Sequence, residues 1–122
     1  NLSKLPEFGF SDGFFETLVA KNAHLKGGNS ANVFEVISKL ICGVCTNDQH
    51  RFGKTVHLVR DKDEAIAWRL HVTKRHDALR LMYWSRQGYV EFANLDAKHD
   101  IRILGARDLP QATFSPLSLL EP

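Results

Sequence analysis

The feature that most constrains this chain is a stretch of strict alternation. From Ile66 to Thr73, large apolar side chains occupy every second position, and the positions between them carry Ala67, Arg69 and His71. Because side chains of a strand point alternately to its two faces, this period of two predicts a strand with one apolar face. The sheet to which it belongs must therefore pack that face against a second layer.

Two turns extend the pattern into a sheet. The segment 74–77, Lys-Arg-His-Asp, leads to a second alternating stretch that starts at Leu79. The segment 85–88, Ser-Arg-Gln-Gly, leads to a third, from Tyr89 to Leu95. Short alternating runs bounded by turn residues are typical of hairpins, so we expect a three-stranded antiparallel meander.

Ahead of the meander, apolar residues recur at spacings of three and four, which predicts amphipathic helices. Residues 5–10 are expected to form a short edge strand. Ser11 or Asp12 then caps a first helix, and Ser30 caps a second that runs to about residue 45. Their apolar stripes are expected to contain Phe14, Phe15, Leu18, Val19 and Leu25, and then Val33, Phe34, Ile37, Leu40, Ile41 and Val44.

These elements define an α+β fold in which two N-terminal helices pack on one face of a small antiparallel sheet. A length of 122 residues, of which 43% are apolar, fits a single folded domain. We place this domain at residues 1–104. Residues 105–122 contain several prolines and are expected to form an extended C-terminal tail.

The net charge of +2 is unevenly distributed along the chain. Residues 50–107 carry 12 basic and 7 acidic side chains, together with five of the six histidines. No apolar run is long enough for a membrane span or a secretory signal, and only two cysteines occur, so a cytoplasmic protein without a membrane partner is expected.

The strand period brings three basic residues of this block to one face. If Thr73 pairs with Ala78, His71 lies opposite Arg80 and Arg69 opposite Met82. If Trp84 pairs with Tyr89, Arg80 lies opposite Ala93 and Met82 opposite Glu91. The helices are expected to cover the other face. Two guanidinium groups and an imidazole on an open face suit a phosphodiester, although a solvated face with Arg69 paired to Glu91 is the alternative.

The order of these segments resembles the RelE/ParE toxin superfamily over roughly residues 6–104. The segment 68–72, Trp-Arg-Leu-His-Val, resembles the aromatic–basic–aliphatic–basic strand of that family. The segment 80–83, Arg-Leu-Met-Tyr, resembles its Arg-Leu-x-Tyr strand, and Lys98 and His99 follow the last strand. Residues 6–18 resemble its first strand and the start of its first helix.

The resemblance implies a toxin of a toxin–antitoxin system that cleaves mRNA in the ribosomal A site. In such members the ribose 2′-hydroxyl attacks the adjacent phosphate without a metal or other cofactor. The implied partners are the ribosome, mRNA and a cognate antitoxin that covers the basic face.

The implied catalytic roles are as follows: Arg80 stabilises the transition state, Arg69 anchors the phosphate, and His71 or His99 acts as base and acid. The residues implied to contact RNA phosphate are Lys54, Arg60 and Lys98.

Two other classes stay open. The superfamily includes non-nuclease members that inhibit DNA gyrase, and a non-catalytic RNA-binding module would show the same basic strands.

Two groups of residues carry side chains that can bind a metal. Cys42 and Cys45, with His50 and His57 downstream, do not match the spacing of zinc knuckles, so the cysteines are expected to be small packing residues, with a metal or redox role as the alternative. The carboxylates at 61, 63 and 64 are expected to lie in an exposed loop, and no metal is predicted.

Overall fold

The computed structural model describes residues 5–21, 30–43, 49–52, 58–73, 79–97, 102–105 and 113–114. Its elements are β1 (Glu7–Phe10), α1 (Phe14–Ala20), α2 (Ser30–Ile41), β2 (Gln49–Arg51), β3 (Ile66–His71), β4 (Leu79–Arg86), β5 (Tyr89–Ala97) and β6 (Thr113–Phe114). The described strands form one sheet in the order β2-β3-β4-β5-β1-β6, in which β2 and β6 are very short. The α+β class is confirmed.

The sheet is mixed, whereas a purely antiparallel sheet was expected. β1 runs parallel to β5, with Phe8 opposite Val90 and Phe10 opposite Phe92. A parallel pair needs a long connection between its strands, and here both helices and the other meander strands supply it. The first described element is therefore a strand of the sheet, and both helices follow it in the chain.

The meander of β3, β4 and β5 is confirmed, with one error of register. His71 lies opposite Arg80 and Arg69 opposite Met82, as expected. β4 continues two residues further than expected, to Arg86, and a two-residue turn that ends at Gly88 closes the second hairpin. The φ of Gly88 is 79°, a backbone conformation that favours glycine.

As a result, Trp84 lies opposite Glu91 and Arg80 opposite Asp96. The expected partners were Tyr89 and Ala93. The register also shifts by one residue between Met82 and Tyr83. Such a bulge places one extra residue on β5, which a regular alternation does not reveal.

The helices cover the face that the alternation predicted. Fourteen buried apolar residues form this core, with contributions from both helices and from β1, β3, β4 and β5. They are Phe8, Phe14, Leu18, Val33, Ile37, Leu40, Ile41, Leu70, Leu79, Leu81, Tyr83, Val90, Phe92 and Leu95. Trp68 and Val72 are partly buried against it.

The helices differ from expectation at their ends and along their outer sides. α1 begins after Gly13, and no side chain caps it. α2 ends at Ile41, followed by a turn in which Gly43 has a φ of 74°. Phe15, Val19 and Phe34 were expected in the buried stripes but are exposed.

Cys42 is also exposed, so its expected packing role is wrong, and Cys45 lies outside the described residues. The helix stops one residue before Cys42, which places that side chain in a turn beyond the packed stripe.

Half of the second face of the sheet is covered, although an open face was expected. Loop residues pack there on Met82, Trp84 and Ala93. The indole Nε1 of Trp84 donates a 2.7 Å hydrogen bond to the carbonyl oxygen of Leu104. The residues that make this second cluster are Ala65, Ala67, Met82, Trp84 and Ala93, with Phe52, Ile103 and Leu104 against them.

Residues beyond 104 take part in the fold. Gly105 is buried, and Thr113–Phe114 pair with β1. Part of the segment expected to be an extended tail is therefore a strand of the sheet. None of the described helices is long and apolar enough to cross a membrane.

We predict that Gly105→Ala lowers the free energy of unfolding by about 2–4 kcal/mol. A Cβ on Gly105 would lie 2.7 Å from Oε2 of Glu91 and against Oγ of Ser11, and the φ of this residue is 84°. Gly88→Ala is the matched control, because Gly88 has a similar φ of 79° and no atom within 4 Å of such a Cβ. This control should lower the free energy of unfolding by only about 1 kcal/mol. Urea unfolding followed by tryptophan fluorescence measures both, and equal losses would contradict the steric argument.

Candidate anion-binding site

Four basic side chains lie together on the second face of the sheet. Arg69 and His71 are two residues apart on β3 and therefore share a face. Arg80 on β4 is the direct partner of His71, and His50 on β2 is the direct partner of Arg69. We call these four residues the basic face. His50 is exposed and the other three are half-buried.

Arg69 and Arg80 each have a hydrogen-bond donor that lacks an acceptor among the described residues. The Nε atom of each is buried and has no hydrogen-bond partner in the described part of the chain. An unsatisfied buried donor costs about 1–3 kcal/mol. Burial lowers the pKa of Arg80, and the positive charge of Arg69 lowers this pKa further. An anion between the two guanidinium groups would accept from these donors and relieve their repulsion.

The acidic residue nearest to Arg80 in the sheet is engaged elsewhere. Asp96 is the β5 partner of Arg80 in the strand register. Its carboxylate accepts hydrogen bonds from Nε and Nη2 of Arg102, at 2.9 and 3.2 Å, and from Asn94. The structure shows no ion pair between Asp96 and Arg80. The pairing of Arg69 with Glu91, the alternative drawn from the sequence, is absent too, because Glu91 binds other residues.

Two imidazoles flank the arginines. The rings of His50 and His71 have centroids 6.2 Å apart and planes at 83°. From the sequence, His50 was considered only as a zinc ligand downstream of the cysteines and was not placed in this site. Its own strand, Gln49–Arg51, is three residues long and has no alternating pattern, so only the observed pairing with β3 reveals its position.

Arg60, which was expected to contact RNA phosphate, is buried in the covered half of the same face. Its Nη1 donates to Oε2 of Glu91 at 2.8 Å and to the carbonyl oxygen of Gly105 at 2.9 Å. Its Nε and Nη2 donate to the carboxylate of Asp63 at 3.0 and 2.8 Å. The guanidinium also lies 4.9 Å from the ring centroid of Trp84. With a side-chain exposure of 0%, Arg60 presents no donor to RNA.

The pKa values in this network reflect the pairing. Burial alone lowers the pKa of Arg60, but hydrogen bonds and charge from Asp63 and Glu91 outweigh it and raise this pKa above its ordinary value. The hydrogen bond from Arg60 is the main cause that lowers the pKa of Asp63 to about 2. Asp63 is therefore a structural ion-pair partner, although the loop carboxylates were expected to be exposed; Asp61 and Glu64 are exposed.

The remaining predicted residues cannot be placed in the site. Lys54, Lys98 and His99 lie outside the described residues, so their roles stay predictions. Within the described ranges, no group of three or more His, Cys, Asp or Glu side chains is arranged to hold a metal ion. The basic face thus offers guanidinium donors for an anion and imidazoles for proton transfer.

We predict that the ionisation of Asp63 makes the free energy of unfolding depend on pH in the acidic range. Its folded pKa of about 2 lies below the ordinary value of 3.8. The stabilisation is therefore complete above about pH 4 and is lost as the pH falls through about 2. Urea unfolding of wild type and Asp63→Asn across this range should give a steeper loss of unfolding free energy for the wild type. Parallel pH dependences would contradict the ion pair.

We also predict that Arg80→Met raises the free energy of unfolding by about 1 kcal/mol. Methionine keeps the alkyl stem and removes both the unpartnered Nε and the repulsion with Arg69. Arg86→Met is the matched control on the same strand, because Arg86 binds Asp63 at 3.3 Å and contacts the ring of Tyr89. Urea unfolding should show no gain for this control. A loss of stability in Arg80→Met would contradict the unsatisfied state of Arg80.

Comparison with known protein families, with curated proteins and with solved structures finds no match to this chain. The RelE/ParE resemblance therefore rests on the sequence segments that suggested it, and the chemistry of the basic face must be judged from its own geometry.

Proposed function

We propose that this chain is a metal-independent endoribonuclease that cleaves mRNA and acts as the toxin of a toxin–antitoxin pair. The observation that carries the proposal is the pair of buried Nε atoms on Arg69 and Arg80, neither of which has a partner in the described part of the chain. Stability alone gives no reason to keep two such donors side by side. Binding of a phosphate gives one, because guanidinium groups match phosphate geometry and keep their charge.

The imidazole of His71 makes the site suitable for cleavage as well as for binding. In the proposed reaction the ribose 2′-oxygen forms a bond to phosphorus, and the bond from phosphorus to the 5′-oxygen breaks. A base takes the 2′-hydroxyl proton, and an acid gives a proton to the leaving 5′-oxygen. The products are a 2′,3′-cyclic phosphate and a 5′-hydroxyl end.

Each arginine has a separate role in this proposal. Arg80, the direct strand partner of His71, stabilises the negative charge that develops on the phosphate oxygens. Arg69 anchors the phosphate from the neighbouring position on β3. Arg60 has no catalytic role here, since all of its donors serve the buried network.

The resemblance to the RelE/ParE superfamily supports the identity of the substrate and partners. It favours mRNA on the ribosome, in the cytoplasm, over other RNA. An antitoxin that neutralises the protein would cover the basic face, where carboxylates could pair with Arg69 and Arg80.

We predict that induced expression arrests growth and that mapping of mRNA ends shows new 5′-hydroxyl ends within translated sequences. Purified protein should cleave mRNA on ribosomes in the presence of EDTA. Arg80→Met should lower the cleavage rate about 100-fold, because one stabilising donor group is lost at the transition state. Arg86→Met is the control and should retain the wild-type rate.

Arg80→Met is expected to be at least as stable as wild type in the unfolding measurement above. A loss of cleavage in this variant would therefore not result from unfolding. RNA binding without cleavage would favour a non-catalytic module. Inhibition of DNA gyrase with intact mRNA would favour the non-nuclease branch of the superfamily. Either result would contradict the proposed nuclease.

A further inference from the structure

His50 completes a compact array on the basic face. Along β3, Arg69 and His71 occupy successive positions of one face. Arg69 is flanked by His50 on β2, and His71 is flanked by Arg80 on β4. Directly paired residues have Cβ atoms about 5 Å apart. Each arginine thus lies beside one imidazole, and the two rings contact each other edge to face with centroids 6.2 Å apart.

The proposed reaction needs two proton transfers. The attacking 2′-oxygen and the leaving 5′-oxygen lie on opposite sides of phosphorus in an in-line displacement, so one rigid side chain does not reach both. A base and an acid on two different elements meet this requirement. His50 on β2 and His71 on β3 are two such groups, and both border the arginines that would hold the phosphate.

The surroundings of the two rings disfavour a metal site. The direct strand partners of the two histidines are Arg69 and Arg80, both positive. The closest carboxylate in the strand register, Asp96, is paired with Arg102 and Asn94. A cation between the imidazoles would therefore meet repulsion from the two guanidinium groups. A phosphate would meet attraction.

We propose that His50 is a proton-transfer residue of the nuclease site and forms an acid–base pair with His71. One imidazole accepts the 2′-hydroxyl proton, and the other donates a proton to the 5′-oxygen as its bond to phosphorus breaks. This inference rests on the proposed function, and it gives His50 the role that the sequence resemblance offered to His99. The exposure of His50 places it at the rim, where RNA would enter from solvent.

The decisive experiment compares His50→Gln with His71→Gln on the RNA substrate that wild type cleaves. Glutamine keeps a hydrogen-bonding side chain but transfers no proton near neutral pH. Wild type should show a bell-shaped pH dependence, because one group must be deprotonated to act as base while the other is protonated to act as acid. Each variant should cleave at least about 100-fold more slowly, and each should lose one limb of the profile, on opposite sides.

A substrate with sulfur in place of the scissile 5′-oxygen assigns the two roles. A thiolate leaves without protonation, so the variant that lacks the acid should recover most of its rate on this RNA. The variant that lacks the base should stay slow. Recovery by one variant and not the other supports the pair. Recovery by both or by neither would overturn it.

Binding and stability controls separate catalysis from structure. RNA with a 2′-deoxy residue at the cleavage position is not cleaved, and its affinity should be nearly equal for wild type and His50→Gln. Unfolding by urea should also be nearly equal, since His50 is exposed on a short strand. A loss of RNA affinity that matches the loss of rate would overturn the proton-transfer role.

The two proposals fail in distinguishable ways. If wild type cleaves RNA and Arg80→Met does not, but His50→Gln keeps both limbs and the full rate, the role of His50 is wrong and the nuclease stands. If wild type cleaves no RNA on or off the ribosome, the proposed function itself is wrong.

Discussion

The structure depends on the buried ion pair between Arg60 and Glu91. Both side chains are almost completely inaccessible to solvent, and each charge has several partners: Arg60 also binds Asp63 and the backbone at Gly105, and Glu91 also binds Ser11 and Tyr89. Removing one member of a buried pair typically costs about 3–5 kcal/mol, because the other charge is left uncompensated. The pair holds the loop after Val59 and the segment at Gly105 on the sheet. These contacts lie in the covered half of the second face.

The same face therefore carries arginines in two opposite states. Arg60 donates from all three guanidinium nitrogens to acceptors within the protein, and its charge stabilises the fold. Among the described residues, the buried Nε atoms of Arg69 and Arg80 have no acceptor, and the two positive charges repel each other. A fold selected only for stability would not retain this difference between residues of one type on one sheet face. This unsatisfied pair is the basis on which we propose an external anion as the ligand of this face.

Much of the fold could be predicted from periodicity. The alternation at Ile66–Thr73 correctly assigned the face packed against the helices, and the first hairpin register followed from it. The candidate site was predicted in part: Arg69, His71 and Arg80 do share a face. The family resemblance assigned Arg60 to RNA contact, and neither a resemblance nor charge shows that Glu91 and Asp63 reach it. His50 was missed because its strand has no pattern of its own.

The sequence by itself determined the elements whose signals are local: the two helices, the three meander strands and the basic character of one face. These follow from side-chain period and turn residues, which act over a few positions. Only the tertiary structure decided the parallel pairing of β1 with β5, the burial of Arg60 and the position of His50. Each of these joins segments far apart in the chain, where the partner is selected by packing and by the need to satisfy buried polar groups.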